Sequence, residues 1–282
     1  MLKKQKTLIR FLSVLLILLV SLSLYTKKAI AQEVNLTEDS IPELRQIINS
    51  NSRSILDKER DKYRHPLQTL QFFGINPKMT VVELWPGKGW YTKILAQYLA
   101  IKGQLIVTNF PEEQNGQAKQ FEKIIRENPT NFAKAKIVEI NLPNDIQLAK
   151  DSSADMVLTF RNIHNWIHDG YEQQIYEAVY KTLKPGGIFG VVEHRANPNA
   201  SLQETGNKGY ISEDHVITSI ENAGFKLLEK SEINANPKDS KDYPNGVWSL
   251  PPVMSLGNND RSKYLAIGES DRMTLKFVKP VI

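Results

Sequence analysis

A short apolar run, a carboxylate and two glycines follow one another in the segment Thr80–Thr92, TVVELWPGKGWYT. Glu83 ends the apolar run, which favours a strand, and the residues after the turn have the amphipathic spacing of a helix. Gly87 and Gly89 can adopt a positive φ, and without a Cβ they let a ligand approach the main chain. A carboxylate and free backbone N–H groups at the carboxyl end of a strand are the chemistry that binds a nucleotide-like ligand.

Two common nucleotide motifs do not fit this turn. Thr92 stands where the dinucleotide fingerprint G-x-G-x-x-G/A has its third small residue. Asn109, at the end of the next predicted strand, breaks the same pattern because it lacks the charge of the ribose-binding acid. No Gly-Lys-Ser/Thr follows the glycines, so the turn is not a Walker A loop. A nicotinamide-dependent oxidoreductase is therefore the weakest function that we consider.

The rest of the chain alternates strand and helix patterns, which predicts an α/β fold with a mostly parallel sheet covered by helices on both faces. Pro66 suits the first position of a new helix, within a helical stretch over residues 54–73, and Gly74 closes that helix. The predicted strands are 80–84, 104–108, 136–140, 156–160, 188–193, 226–228 and 273–278, and the predicted helices are 91–100, 112–128, 171–183 and 213–223.

The first 31 residues have the pattern of an export signal. Lysines precede an apolar run over residues 11–24, and Ala29-Ile30-Ala31 matches an A-x-A cleavage site. We therefore expect an exported, periplasmic protein cleaved after residue 31, with an uncleaved membrane anchor as the alternative. A helical extension over residues 32–75, polar and loosely held up to residue 52, would then precede the main domain at residues 76–282.

The composition of the chain limits the classes of binding partner and of site that we expect. The net charge of +5 is mild and no basic stripe is interleaved with aromatic residues, so we expect no nucleic-acid partner. The chain has no cysteine, which excludes disulfides, thiolate metal sites and a cysteine nucleophile. Membrane contact is expected only through the signal segment if it is uncleaved. Residues 234–260 form a long loop rich in Asn, Pro, Gly and Ser, which is either a lid on the substrate side or an excursion without function.

Four segments of the chain resemble class I S-adenosylmethionine-dependent methyltransferases. They are ELWPGKGWYT, FRNIHNW, LKPGG and DRMTLKF, and they span the chain from about residue 60 to its end. Trp85 and Pro86 in the first segment match a group of secreted bacterial proteins with a predicted methyltransferase activity better than they match ordinary members. The resemblance implies a doubly wound, Rossmann-like sheet of seven strands whose last strand is antiparallel. It also implies S-adenosylmethionine as cofactor and a small-molecule or envelope substrate.

The resemblance also implies which residues hold the cofactor. An acid and a glycine turn end the first strand, and side chains at the ends of the next strands contact the nucleoside. Asn109 stands where this family usually has an acid for the ribose hydroxyls, and Asn141 stands near the usual adenine contact, where a plain turn residue is an equal alternative. The predicted cofactor residues are Glu83, Trp85, Pro86, Gly87, Gly89, Asn109, Asn141 and Arg161.

Aromatic residues near the turn can face a cationic sulfonium. The ring faces of Trp85, Trp90, Tyr91 and Trp166 suit such a cation. Aromatic residues at a strand–helix junction also serve as ordinary core, so we expect about two of the four to contact a ligand.

Methyl transfer to a hydroxyl or an ammonium group requires a base. His164 is the first candidate because its ordinary pKa lies near neutrality, and Glu193 and His194 at the end of the fifth predicted strand are the second. His164 and His168 are spaced i, i+4 beside Asp169, but the local sequence resembles a loop and lacks the H-E-x-x-H pattern, so we predict no metal. The main alternative to an enzyme is an exported ligand-binding protein that uses the same fold without catalysis.

Overall fold

The structure is a computed structural model, and it describes residues 41–111, 116–143 and 145–281. The predicted signal peptide and the first residues of the predicted extension lie outside the described residues, so both stay predictions. The chain divides into two compact units at Glu43, and the second unit, Leu44–Ile282, carries the fold and the candidate site.

Seven strands form one sheet at the centre of the second unit. They are β1 (Thr80–Leu84), β2 (Gln104–Asn109), β3 (Ala135–Glu139), β4 (Ala154–Phe160), β5 (Leu183–His194), β6 (Lys226–Ser231) and β7 (Arg272–Val278). Their order across the sheet is β3-β2-β1-β4-β5-β7-β6. The pairs from β3 to β5 are parallel, whereas β7 is antiparallel to both β5 and β6. The predicted doubly wound, mostly parallel sheet with an antiparallel last strand is confirmed.

The direction of winding reverses between β1 and β4. Successive strands lead outward from β1 through β2 to β3, and the chain then crosses back to place β4 on the other side of β1. The connections after β1 and β4 therefore leave in opposite directions, which opens a crevice at the carboxyl ends of these two strands. This is where open α/β sheets bind ligands, so the fold positions the predicted turn at the expected place.

Apolar residues on alternate positions of the strands form two cores, one on each face of the sheet. Val82 belongs to one buried cluster and its neighbour Val81 to the other. The helices that cover the faces are Ile55–Glu59, Asp61–Arg64, Pro66–Phe73, Thr92–Leu99, Gly116–Glu127, Pro129–Phe132, Ile163–His168, Glu172–Thr182, Leu202–Thr205, Glu213–Asn222 and Arg261–Ile267. In the part of the chain that the structure describes, no helix is long and apolar enough to span a bilayer.

The segment before β1 is more ordered than its composition indicates. The prediction of a loosely held segment up to residue 52 is wrong for residues 41–49, which are helical. Leu44 and Ile48 lie one helical turn apart and are both buried in the core that contains Val81. Pro66 does begin a helix, and Gly74 ends it with a φ of 80°, as predicted.

The short helices that were not predicted include one after β4 and one after the long loop. Residues Ile163–His168 form a helix where we expected a loop, and Arg261–Ile267 form another after the long loop. Both are too short for hydrophobic periodicity to reveal, because a window of about 11 residues or more is needed. The first of them matters for function because it carries His164.

Candidate functional site

The turn after β1 has the backbone geometry that glycine adopts most easily. Gly87 and Gly89 have φ values of 58° and 69°, as expected for positions without a side chain. Trp85 has a φ of 43°, which costs a residue with a Cβ about 1 kcal/mol or more. The backbone N–H of Trp85 donates to Thr108 O at 3.0 Å, and that of Gly89 donates to Pro86 O at 2.9 Å. The first bond joins the turn to β2, and the second closes the turn itself.

A cleft of about 240 Å³ lies beside this turn, above the carboxyl ends of β1, β2 and β4. The ring of Trp85 packs between two other rings, with centroid separations of 5.4 Å to Phe110 and 5.2 Å to Trp166. Gly87 and Asn109 also line the cleft. The cleft therefore combines aromatic walls with exposed main chain and an amide, which suits a nucleoside.

Two hydrogen-bond donors beside the cleft lack partners within the described part of the chain. They are Asn109 Nδ2 and Trp85 Nε1. Both residues are buried, with exposed fractions of 5% and 8%. A buried donor without an acceptor costs about 1–3 kcal/mol, so these two atoms are poised to donate to an acceptor in the cleft.

Glu83 lies behind the turn rather than in the cleft lining. Its side chain is buried, and its Oε2 has no hydrogen-bond partner among the described residues. Burial raises the pKa of Glu83 to about 8, and the Thr92 hydroxyl opposes this rise. The carboxyl is therefore mostly protonated at neutral pH, and it forms no salt bridge with any described residue.

The other predicted cofactor residues also lie outside the cleft lining. Pro86 serves the turn itself. A Cβ on Gly89 would meet Phe121 Cε2 at 2.9 Å, so this glycine admits the helix Gly116–Glu127 rather than a ligand. Asn141 is exposed and exchanges backbone hydrogen bonds of 3.1 and 2.8 Å with Asp145, which is the turn role considered as its alternative.

Arg161, also predicted to contact the cofactor, lies at the end of β4 and is partly exposed. It has a φ of 64°, and its backbone N–H donates to Val192 O at 2.7 Å. It is not part of the cleft lining, and the charges of Glu269, Arg272 and Glu193 act on its guanidinium group.

The three predicted base residues do lie together. Glu193 Oε1 is 3.0 Å from His164 Nδ1 and accepts the backbone N–H of His194 at 2.8 Å. Glu193 Oε2 accepts the backbone N–H of Ile163 at 2.6 Å. His194 Nδ1 lies 2.5 Å from Ser270 Oγ. Burial and the neighbouring His164 lower the pKa of His194 well below its ordinary value, so His194 is neutral.

Glu193 fixes the orientation of the His164 ring. A carboxylate can only accept, so His164 Nδ1 carries the proton of this contact and Nε2 is left with a free lone pair. That is the tautomer a general base needs. The pairing of His164 with Glu193 was not expected, because the two residues were predicted as separate candidates.

A donor set of the kind that binds metals is present in the same place. Ligand atoms of His164, Glu193 and His194 lie within 4.8 Å of one another. His168, the residue considered with His164 for a metal, is exposed and does not belong to this group. Both oxygens of Glu193 already accept hydrogen bonds, so the carboxylate is satisfied without an ion, and the absence of a metal stays a prediction.

The long loop reaches the candidate base. Trp248 lies in its middle, and its ring centroid is 6.2 Å from that of His164. The loop is anchored by Asp239, which accepts the Tyr210 hydroxyl at 2.9 Å and the backbone N–H of Asp271 at 2.7 Å. Of the two alternatives for this loop, its position beside His164 favours a cover on the substrate side.

Sequence reasoning missed several residues of the cleft. Asn162 is the most important of them, since its Nδ2 donates to Leu84 O at 2.9 Å and to Thr159 Oγ1 at 3.1 Å, which joins the ends of β1 and β4. Its place in the FRNIHNW segment was the available signal. Of the four aromatic residues, Trp85 and Trp166 line the cleft, whereas Trp90 and Tyr91 belong to the core on the other face. The cleft lining also includes Leu142, Asn165, Asp169 and Tyr171.

Comparisons with known proteins agree on the fold. No family model matches the chain. A sterol 24-C-methyltransferase of Gibberella zeae is 24% identical over 210 residues, which are 70% of this chain and 51% of the relative. The chain thus spans about half the length of the curated relatives that it matches.

Two solved structures are similar to this chain in fold. A SAM-dependent methyltransferase of Aquifex aeolicus superposes with a TM-score of 0.50 at 16% identity, over 69% of this chain and 93% of that one. The [4+2]-cyclase SpnF superposes with a TM-score of 0.58 at 14% identity, over 90% of this chain and 96% of that one. The chain has the Rossmann-like methyltransferase fold.

Replacing Glu83 with Gln should remove a pH dependence of stability. The folded-state pKa is raised from 4.5 to about 8, so the folded protein keeps a proton that the unfolded chain releases. This stabilisation is full below about pH 4.5 and is lost as the pH rises to about 8, at about 1.4 kcal/mol per pKa unit. Urea unfolding between pH 4.5 and 9 should show the wild type losing a few kcal/mol relative to Glu83→Gln.

The exposed Glu139 on β3 provides a matched control. The Glu139→Gln variant should follow the wild-type pH profile. Parallel stability profiles for wild type and Glu83→Gln would show that Glu83 is not a buried neutral acid.

Proposed function

We propose that this chain is an S-adenosylmethionine-dependent methyltransferase that acts on a small molecule or an envelope component. The cleft between β1, β2 and β4 is the observation that supports it. Aromatic rings, the main chain of Gly87 and the amide of Asn109 converge there, at the switch point where folds of this kind bind their ligands.

The residues present fit this cofactor. Asn109 Nδ2 and Trp85 Nε1 are buried donors that need acceptors, and a nucleoside offers ribose oxygens and ring nitrogens. The faces of Trp85 and Trp166 are suited to a nearby sulfonium. Gly87, Asn109 and the two tryptophans would hold the cofactor, which supplies an electrophilic methyl group when bound. Glu83 supports the turn from behind.

The neighbouring His164–Glu193 pair supplies a base for the acceptor. His164 Nε2 is free to take a proton from a hydroxyl or an ammonium group because Nδ1 is bound to Glu193. General base catalysis contributes about two to four orders of magnitude. Trp248 lies beside the ring, with 6.2 Å between the two ring centroids. His194 is held neutral by burial and lies beside this pair.

An exported ligand-binding protein without catalysis is the second candidate, and two residues favour it. Asn109 lacks the charge of the usual ribose-binding acid, and Trp85 fills part of the volume where this fold usually has a glycine. The cyclase among the similar structures illustrates that this fold also serves other reactions, since function depends on the site rather than on the fold.

Cofactor binding is the first test of the proposed function. Isothermal titration of residues 32–282 with S-adenosylmethionine and S-adenosylhomocysteine should show binding of both. Asn109→Ala should weaken both affinities about five- to tenfold, since one hydrogen bond is worth about 1 kcal/mol. The exposed Asn258→Ala is the matched control and should bind like the wild type. If the wild type binds neither compound at high micromolar concentration, the cofactor assignment is wrong.

Transfer of a labelled methyl group tests the role of His164 as the general base. S-adenosylmethionine with a tritiated methyl group and an extract of the source cells should give a labelled product. His164→Ala should slow the labelling by about two to four orders of magnitude while binding the cofactor as the wild type does. His168→Ala changes an exposed histidine on the same helix and should label normally. Equal rates for both variants would contradict the role of His164.

We also propose that the protein is exported, on the basis of the basic, apolar and A-x-A pattern of residues 1–31. Fractionation of cells that express the chain with and without these residues tests this. The full chain should be recovered outside the cytoplasm at the mass of residues 32–282. Recovery at full mass in the membrane fraction would indicate an uncleaved anchor, and recovery in the cytoplasm would contradict export.

A further inference from the structure

A cluster of positive charge lies beside the His164–Glu193 pair, at the carboxyl end of the sheet. Its arginines come from the helices before β1, from the end of β4 and from β7, and two carboxylates lie among them. The members are Arg60, Arg64, Arg161 and Arg272 with Glu269 and Glu193. Four guanidinium groups therefore face two carboxylates in a largely buried region.

Both carboxylate oxygens of Glu269 are already paired with three of these arginines. Its Oε1 accepts from Arg60 Nε at 2.6 Å, and its Oε2 accepts from Arg64 Nε at 3.1 Å and lies 3.2 Å from Arg272 Nη2. The side chains of Glu269, Arg64 and Arg272 are each only 3% exposed. These charges hold the pKa of Glu269 far below its ordinary value against the effect of burial. The single negative charge of Glu269 is therefore shared by three arginines.

The second carboxylate, that of Glu193, is bound to groups other than the arginines. Glu193 accepts the backbone N–H groups of Ile163 and His194 and contacts His164 Nδ1. It makes no hydrogen bond or ion pair to an arginine within the described part of the chain. Among the described residues, the two carboxylates of this cluster thus leave part of its positive charge unbalanced.

Several guanidinium donors have no acceptor among the described residues. Arg60 Nη2 and Arg64 Nη2 are buried atoms without a hydrogen-bond partner. The Arg161 guanidinium makes no hydrogen bond to any described residue, although Glu269 and Glu193 are close enough to influence it. Burial lowers the pKa of Arg161 to about 10 and that of Arg64 well below its ordinary value, and the neighbouring arginines add to both effects. An anion bound among these groups would offset the free-energy cost of burying their positive charges.

We propose that Arg161, supported by Arg64, binds an anionic group of the methyl acceptor, a carboxylate or a phosphate, beside His164. This rests on the proposed function, which it deepens by naming the substrate class. Guanidinium groups match such anions in geometry and charge. The anion would hold the acceptor so that its nucleophilic atom lies near His164.

The position of the cluster favours the acceptor over the cofactor as the source of the anion. None of the four arginines lines the cleft assigned to the cofactor. Arg161 follows β4 by one residue and lies three residues before His164, on the side of β5 and β7 where the base is.

Sulfate is a suitable probe for this subsite. The protein saturated with S-adenosylhomocysteine is titrated with sodium sulfate against sodium chloride of equal ionic strength, and melting temperature and calorimetric heat are recorded. Sulfate should bind saturably and raise the melting temperature. Arg161→Gln should weaken sulfate binding about tenfold or more, since a charge-assisted hydrogen bond to the anion is lost. Arg161→Lys should keep part of the affinity because the charge remains.

The matched control is Arg261→Gln, which removes one positive charge from an exposed residue. This variant should bind sulfate like the wild type. Equal sulfate affinity of wild type and Arg161→Gln would overturn the proposal. It would also be overturned if Arg161→Gln weakened S-adenosylhomocysteine but not 5′-methylthioadenosine, which lacks the carboxylate, because Arg161 would then hold the cofactor. If the wild type binds no adenosyl compound but binds sulfate through Arg161, the methyltransferase proposal fails and the anion subsite stands.

Discussion

The Glu193 carboxylate, fully buried at the end of β5, joins three parts of the candidate site. Its oxygens accept from the first N–H of the helix Ile163–His168, from the backbone of His194 and from the ring of His164. Hydrogen bonds to a charged group contribute about 1.5–3 kcal/mol each. Without this carboxylate the helix would begin with an unpaired buried N–H, and the His164 ring would have no fixed tautomer. The position of the candidate base therefore depends on one side chain of a central strand.

The second buried carboxylate, Glu269, shows that stability alone does not account for the polar groups at this end of the sheet. Its three arginines connect the helices before β1 to the start of β7. Buried ion pairs of this kind are often no more stable than apolar packing of the same volume, because desolvation offsets the attraction. An arrangement with more cations than anions is less favourable still. The anion proposed to bind here would balance the excess of positive charge.

The sequence predicted what depends on local pattern and left out what depends on distant contacts. Periodicity and turn residues located the seven strands, because each strand is marked by its own apolar residues and ends at a polar turn. The pairing of Arg64 with Glu269 joins residues 205 positions apart, and no spacing rule reveals it. The role of Gly89 was also hidden, since its missing Cβ makes room for Phe121, which lies on another element. Likewise Glu83 was correctly placed at the end of β1, but its burial depends on the whole core.

Trp85 is a residue that either candidate function would use. It has a positive φ that a glycine would adopt without strain, and its ring takes up space in the cleft. Strain of this kind persists only where the surroundings hold it, and it is concentrated at functional sites. The ring packs between Phe110 and Trp166, yet its Nε1 has no partner in the described structure. A tryptophan kept only to fill a core would bury its N–H against an acceptor. The unpaired donor beside an aromatic cleft is instead consistent with a ring that donates to a ligand, which either candidate function requires. The base held by Glu193 is needed by the enzyme alone.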